Sequence, residues 1–166
     1  MNKSISFALP AIILIAIAGV IVWPRLYRQR EGVKTPPRCS SNVRQMAVAL
    51  LQYQSMWDDK LPTSNWQTAI TPFVRSKVLF TCSELQVQGG HDGFAMDWHL
   101  LGANLQTLKN PSKTVLVFET DALAPNVVAN LAAISYSRHT NYQKRRMSWC
   151  AYADGHAKSK FEVAAP

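Results

Sequence analysis

The feature that most constrains this chain is an uncharged apolar stretch near its amino end. The stretch runs for nineteen residues from Ile5 to Trp23 and reads ISFALPAIILIAIAGVIVW. A helix needs about 20 such residues to cross a hydrocarbon core of ~30 Å. Eleven of its side chains are Ile, Leu, Val or Phe, and together they favour insertion by about 3–7 kcal/mol. The stretch therefore predicts a transmembrane helix over residues 1–24.

A cleaved secretory signal is the alternative interpretation of the same stretch. Such signals have a shorter apolar region, followed by small residues at the cleavage site. Here the small residues of AIAGV lie inside the apolar run, which favours a permanent anchor. Trp23 occupies the place of an interfacial aromatic residue. The cations that come after it, Arg25, Arg28 and Arg30 among them, by themselves favour a cytoplasmic location for the rest of the chain.

The overall charge indicates the chemistry of the partners. The net charge is +8 and the isoelectric point is about 9.7, which favours anionic partners such as lipid headgroups, nucleic acid or acidic proteins. Only 17% of the 166 residues are charged, less than the usual quarter, so part of the chain is expected to avoid water. The length suits one domain plus an appendage.

The three cysteines limit the kinds of site that the chain can carry. Cys39, Cys82 and Cys150 include no Cys-x-x-Cys pair, which argues against a zinc ribbon or a thioredoxin-like motif. One disulfide with a free thiol and three buried thiols remain equal alternatives, because the choice depends on the compartment.

After the apolar stretch, the sequence predicts a basic, proline-containing linker over residues 25–40 and a folded domain over residues 41–166. Pro36-Pro37 cannot lie inside a helix. Apolar positions with a period of 3.6 predict an amphipathic helix over Ser41–Trp57, with Ser40, Ser41 and Asn42 as capping residues. A shorter helix is predicted over about Asn65–Val74, with Ser64 as its cap.

The second half of the domain predicts β-strands. Thr114–Thr120 is β-branched and bounded by turn residues, and AISYS (Ala133–Ser137) is a further candidate. Asp154-Gly155 lies between two alternating runs, which predicts a closing hairpin with a two-residue primed turn. The expected fold is α+β, with the amphipathic helix packed on a small antiparallel sheet.

Six segments together resemble a known protein class. In chain order they are IAIAGVIVWPRLYRQRE, CSSNVRQMAVALLQYQSMWDDKLP, WQTAITPFV, VLFTC, NPSKTVLVFET and YADGHAKSKF. The chain is similar to bacterial type IV pilin-like and type II secretion pseudopilin-like proteins, and most of all to the subgroup with a C-terminal histidine, a nine-residue spacer and Asp-Gly. The resemblance covers nearly the whole chain. It implies an inner-membrane helix that also packs in a filament core, a periplasmic or surface-exposed α+β head, pilin-like or secretion-machinery partners, and a structural, non-enzymatic role without a cofactor.

The resemblance also implies details at single positions. Cys39 and Cys82 match cysteines of the family and are expected to pair, whereas Cys150 is peculiar to this chain. Asn2 stands where the prepilin peptidase needs glycine, and Phe7 stands where the family carries a glutamate that neutralises a neighbouring subunit's amine. Both departures favour a non-polymerising member. The family places the head outside the cytoplasm, against the charge count.

The sharpest basic cluster lies just before the closing hairpin. Arg138, Lys144, Arg145 and Arg146 surround Tyr142. Cations interleaved with an aromatic residue suit a phosphate backbone or a single strand. The alternatives are a solvated loop and a contact with anionic lipid. The sequence thus keeps a DNA-binding or anion-binding receptor as a second function.

Metal and catalytic sites are weaker predictions. His139 and His156 facing each other across the hairpin base, with Asp154, would give a metal site, although Asp154-Gly155 is most simply the turn itself. Fourteen residues separate His139 from Asp154, where the resembled subgroup has a nine-residue spacer. Cys82 or Cys150 beside His139 would supply a thiol nucleophile, the basis of a third hypothesis, an extracytoplasmic enzyme. A further acidic group with the residue types of a calcium loop comprises Asp92, Asp97 and Asp121, with His91 and His99.

Overall fold

The computed structural model describes residues 38–82, 85, 92–141 and 143–162. The predicted transmembrane stretch Ile5–Trp23 and most of the linker lie outside these ranges. The chain divides into two units, Met1–Thr35 and Pro36–Pro166, and the described residues all belong to the second. Within the described ranges, no helix combines the length and the apolar character that crossing a membrane requires.

The amphipathic helix is present as α1, Arg38–Met56. It begins three residues before its predicted start, so Ser40 lies inside its first turn and does not cap it. Asp58 and Asp59 adopt positive φ values of 48° and 57°, which end the helix. One face is buried at the spacing that the 3.6 period predicts, and its residues are Cys39, Val43, Met46, Ala47, Leu50 and Gln54.

The second helix, α2, is shorter than predicted and is capped by a distant residue. It spans Trp66–Ile70 and continues into a 3₁₀ turn, Thr71–Phe73. Ser64 is not its cap. Instead, Asn126 Oδ1 accepts hydrogen bonds from the backbone N–H groups of Gln67 (2.8 Å) and Thr68 (3.3 Å). The contact is reciprocal, because Asn126 N donates to Gln67 Oε1 at 2.8 Å. A loop distant in sequence therefore fixes this helix.

The described part of the chain contains six strands. They are β1 Phe94–Asp97, β2 Val115–Glu119, β3 Val128–Ala129, β4 His139–Thr140, β5 Arg146–Tyr152 and β6 Ala157–Phe161. All six form one mixed sheet in the order β3-β1-β2-β5-β4, with β6 paired to β5. The expectation of a purely antiparallel sheet is wrong, because β1 and β3 run parallel; the α+β class itself is confirmed.

The segment AISYS does not form a strand. Its first residue, Ala133, ends a 3₁₀ turn, Leu131–Ala133, and its second, Ile134, makes one isolated bridge with Thr120. Asn130 Oδ1 accepts from Ala132 N at 3.0 Å and caps that turn, so local capping outweighs β propensity here. The segment instead covers the second face of the sheet, where Ile134 packs on Phe118 and its neighbours.

The closing hairpin is present, but its turn differs from the predicted one. Gly155 alone has positive φ (88°) among the turn residues. Gly155 N donates to Tyr152 O, and Tyr152 N donates to His156 O, each at 2.9 Å. These contacts define a three-residue loop closed by a glycine rather than a two-residue primed turn. Asp154 Oδ1 accepts from His156 N at 3.1 Å, so the aspartate does cap its own turn.

Strand β5 organises the site because it has partners on both edges. Strand β6 lies along one edge. On the other edge β2 pairs near the carboxyl end of β5, with Phe118 opposite Cys150, and β4 pairs near its amino end, with His139 opposite Met147. The end of β2 and the start of β4 thus face the same stretch of β5, beneath α1.

Candidate functional site

The most unusual group in the described part of the chain is the buried carboxylate of Glu119, at the end of β2. Its side chain is fully buried, a location that a charged group occupies only when it is well paired. Oε2 accepts from Trp149 N at 2.6 Å and from Ser148 Oγ at 3.4 Å. Oε1 lies 2.7 Å from His139 Nε2. The carboxylate is therefore held from three directions.

The sheet topology explains why a carboxylate stands there. Strand β2 ends at Glu119 and β4 begins only at His139, so Trp149 lies between the residues of β5 that pair with these two strands. The backbone N–H of Trp149 needs an acceptor once it is buried. Glu119 supplies it with a side-chain oxygen, and the same side chain ties His139 to the sheet.

A disulfide lies against this pair. Cys39, in the first turn of α1, is joined to Cys82, with a Cα–Cα distance of 5.4 Å, which is usual for disulfides. This is the pairing that the family resemblance implies. Cys82 Sγ lies 3.7 Å from Glu119 Oε1. We call Cys39, Cys82, Glu119 and His139 the buried cluster; all four are buried, and their ligand atoms lie within 4.8 Å of one another.

Arg138 belongs to the interior and not to the predicted basic patch. Its side chain is only 5% exposed. Nη1 donates to Gly93 O at 2.8 Å, and Nη2 donates to Thr120 O. Burial lowers the pKa of the guanidinium, while the charges of Glu119 and Asp121 act in the opposite direction. Arg138 forms an ion pair with Asp121, whose Oδ1 lies 3.6 Å from Nη2, and also lies in the field of Glu119, so it is not available to a ligand at the surface.

We expect Gly93→Ala to destabilise the fold by about 2 kcal/mol or more. Gly93 has φ +92°, and a Cβ there would lie 2.6 Å from Leu85 Cδ1 and 2.8 Å from Arg138 Nη1. Gly155→Ala is the matched control, since its φ is +88° but the nearest side-chain atom to its Cβ would be the tip of Leu51 at 3.2 Å. Urea denaturation of both variants measures the difference. Equal losses would show that Arg138 has room to move.

The other three predicted cations do lie at the surface. Lys144, Arg145 and Arg146 are exposed, on the turn between β4 and β5 and at the start of β5. The Arg145 guanidinium lies 4.6 Å from the centre of the Phe161 ring, and Arg146 Nη1 lies 3.9 Å from Glu162 Oε2. Tyr142 lies outside the described residues. The neighbouring strand β6 adds two further exposed cations, Lys158 and Lys160.

The predicted grouping of His139 with Asp154 and His156 is wrong. His139 lies opposite Met147, whereas the other two lie in the turn beyond Tyr152, about 17 Å farther along β5. His156 Nδ1 contacts Asp154 Oδ1 at 2.5 Å, and its ring stacks on Tyr152 with centroids 4.3 Å apart. Asp154 and His156 therefore form a local turn structure, and His139 takes Glu119 as its partner.

The acidic residues of the predicted calcium-type group do not form one site, because Asp97 and Asp121 accept hydrogen bonds from different local partners. Asp97 Oδ1 accepts from His99 N at 3.1 Å, and Asp121 Oδ1 accepts from Ser135 Oγ at 2.6 Å. Asp92 has positive φ (65°) at the edge of the described ranges; His91 falls outside them. Within the described residues, three or more potential metal ligands come together at the buried cluster alone.

Cys150 is not placed to act as a nucleophile. It lies on the face of the sheet opposite α1, buried among Ala95, Val115, Phe118 and Ile134. Burial raises its pKa to about 12; the charge of Lys160 acts in the opposite direction, and the charge of Glu119 acts in the same direction as burial. The reactive form is the thiolate, so Cys150 is inert at neutral pH. Cys82, the other candidate, is engaged in the disulfide.

The raised pKa of Cys150 predicts a loss of stability in alkali. In the unfolded chain the thiol ionises near its ordinary value of 9.0, while in the folded chain it stays protonated to about 12. The folded state therefore binds more protons in this interval, and the free energy of unfolding falls as the pH rises above about 9. Urea midpoints at pH 8 and pH 10.5 measure the fall, which should be smaller in Cys150→Ala. An equal fall in that variant would assign it to other groups.

Sequence reasoning identified His139 and both cysteines of the buried cluster but missed Glu119. The available signal was a carboxylate that directly follows four apolar residues in VLVFE. Continuing the buried run by one residue would have predicted a buried Glu119. Ser148 and the Trp149 backbone gave no sequence signal. Comparison of the chain with protein-family models, with curated proteins and with solved structures finds no match.

Proposed function

We propose that this protein is a membrane-anchored, pilin-like or pseudopilin-like structural subunit of a type IV pilus or type II secretion-like system. It is a single-pass protein of a bacterial inner membrane, with its head domain outside the cytoplasm. The observation that carries the proposal is the order of parts: the uncharged stretch Ile5–Trp23 precedes α1, whose apolar face packs on a sheet that ends in a hairpin.

The disulfide supports the location of the head. Cys39 and Cys82 are joined within the core, and structural disulfides persist in oxidising compartments such as the periplasm. The cations that follow Trp23 indicate the other location, since by themselves they favour a head domain in the cytoplasm. We give the disulfide more weight, because a structural disulfide between two core residues is rare in a reducing compartment.

Assembly proceeds by lateral packing of the apolar helices, without chemistry. Asn2 and Phe7 lack the glycine and glutamate that processing and filament growth use in the resembled family. The proposal therefore includes a subunit that stays in the membrane and contacts other pilin-like subunits or secretion machinery through its head. Sequencing the amino end of the purified protein tests this point, since a methylated new terminus at Lys3 would show ordinary processing.

Membrane extraction tests the anchor. The full chain should remain in the membrane pellet after alkaline washing. Replacing Ile15 and Ile17 by arginine should release it, because each charge at the helix centre costs about 2.5–3.5 kcal/mol. Gln52→Arg with Ser55→Arg adds the same charge on the exposed face of α1 and should leave the protein in the pellet. Release of the unmodified chain would refute the anchor.

A DNA-binding or anion-binding receptor is the second candidate, favoured by one observation. The exposed cations of the β4–β5 turn, Lys144, Arg145 and Arg146, are joined by Lys158 and Lys160 on edge strand β6. An edge strand also carries lysines to prevent aggregation, so binding has to be measured rather than inferred.

The salt dependence of DNA binding separates the two explanations. If these cations contact phosphates, Arg145→Ala with Arg146→Ala should reduce the slope of log affinity against log salt by about 2. Lys109→Ala with Lys113→Ala removes the same charge from exposed positions elsewhere and should leave the slope nearly unchanged. Equal effects from both pairs would exclude a specific receptor surface.

A further inference from the structure

We propose that the buried cluster is a zinc site when its disulfide is reduced. Cys39, Cys82, His139 and Glu119 would then bind one Zn²⁺ through two thiolates, His139 Nε2 and Glu119 Oε1. The disulfide and the metal are mutually exclusive, since they use the same sulfur atoms. This inference does not depend on the proposed function.

The distances fit a tetrahedral site. Zinc binds thiolate at about 2.3 Å, imidazole nitrogen at about 2.0–2.1 Å and carboxylate oxygen at about 2.0–2.2 Å, so the edges of the tetrahedron are about 3.3–3.8 Å. The four ligand atoms of the cluster lie within 4.8 Å of one another. Reduction lets the sulfur atoms separate toward that edge length, and the 2.7 Å contact between His139 and Glu119 has to open by about half an ångström.

The surrounding groups already hold the ligands as an outer shell would. Trp149 N and Ser148 Oγ both donate to Glu119 Oε2. The other oxygen, Oε1, lies on the side of the cysteines. Such second-shell contacts orient carboxylate and histidine ligands in metal sites. Cys39 lies in the first turn of α1, and Cys82 follows the 3₁₀ segment Lys77–Phe80. The backbone of Cys82 is held on both sides, since its N–H donates to Asp92 O at 3.2 Å and its carbonyl accepts from Leu85 N at 3.0 Å.

The charge balance also permits a divalent cation. In the disulfide form, the Glu119 carboxylate is compensated by the buried guanidinium of Arg138. A dithiol reductant gives two protons and two electrons to the disulfide and becomes a disulfide itself, leaving two neutral thiols. Zn²⁺ then displaces the two thiol protons, which leave to solvent, and binds two thiolates. Because Zn²⁺ replaces two protons, the charge of the site is unchanged, and the guanidinium of Arg138 still compensates the Glu119 carboxylate.

The test uses the full-length protein in detergent, reduced with a dithiol that is then removed without oxygen. Added Co²⁺, a spectroscopic substitute for zinc, should give a sulfur-to-cobalt charge-transfer band at one equivalent, and one equivalent of Zn²⁺ should abolish the band. The oxidised protein should give no such band. Cys82→Ser and His139→Gln should lose or alter it, whereas Cys150→Ala and His156→Asn should keep it.

Two further measurements test the zinc site even if the ligand variants fold poorly. Ser148→Ala removes only an outer contact and should weaken zinc affinity by about 10–100-fold. If reduction unfolds the protein, Zn²⁺ should restore its circular dichroism spectrum. The proposal is overturned if reduced protein binds no cobalt through sulfur, if the band survives unchanged in Cys82→Ser, or if zinc fails to refold a reduced, unfolded chain.

Discussion

Replacing both Cys39 and Cys82 by alanine should lower the free energy of unfolding by about 4 kcal/mol. The two residues are 43 positions apart. Removing a cross-link that closes a loop of this size gives conformational entropy back to the unfolded chain, which lowers the free energy of the unfolded state by about 4 kcal/mol. Both side chains are also fully buried, so the variant loses packing as well. Urea denaturation of the oxidised proteins, with a chelator present, measures the loss.

Two controls separate the cross-link from other effects of the substitutions. A reductant should destabilise the unmodified protein and leave the double variant unchanged. Cys150→Ala keeps the disulfide and removes a buried thiol from the other face of the sheet, so it reports the cost of truncation alone. A double variant within about 1 kcal/mol of the unmodified protein would contradict the disulfide's role.

Glu119→Ala is expected to cost about 3–5 kcal/mol, the usual loss when one partner of a buried charged pair is removed. The substitution deprives His139 and the Trp149 N–H of their acceptor and removes one of the two carboxylates, Glu119 and Asp121, whose charges favour the buried guanidinium of Arg138. Glu119→Gln should cost less, because an amide oxygen still accepts a hydrogen bond. Thermal and urea unfolding of both variants measure the two effects.

The matched control for Glu119 is Glu162, on the surface of the same sheet region. Its contact with Arg146 is 3.9 Å long, and the side chains of Glu162 and Arg146 are 46% and 64% exposed, respectively. Exposed pairs of this kind contribute about 0–1 kcal/mol, so Glu162→Ala should be nearly neutral. Similar losses for Glu119→Ala and Glu162→Ala would show that the buried cluster has no special part in stability.

The sequence predicted those elements whose signal is local. The 3.6 period of α1, the β-branched run of β2 and the Asp154-Gly155 turn each depend on neighbouring residues. Each is present, although the turn has three residues and not two. Elements that depend on distant partners were missed. Strand β1 is four residues long and wholly buried, so it shows no alternation, and its parallel pairing with β3 has no local signature.

The chemistry of the site was harder to predict for the same reason. The sequence pattern groups His139 with Asp154 and His156 at the hairpin base, but its partner is Glu119, twenty residues earlier and on another strand. Arg138 was grouped with Lys144 and Arg145 by composition, although the carbonyl groups of Gly93 and Thr120 draw it into the interior. Neither contact is visible before the strands are placed.

The membrane side of the head tests the central claim most directly. A reporter enzyme that is active only outside the cytoplasm can be fused after Pro166 in the full chain, beside an equal fusion to a reporter active only inside. The account predicts activity from the first fusion, and a Cys39–Cys82 bond in protein trapped with alkylating reagent. Activity from the second fusion alone, with both thiols free, would contradict an anchored, extracytoplasmic pilin-like subunit.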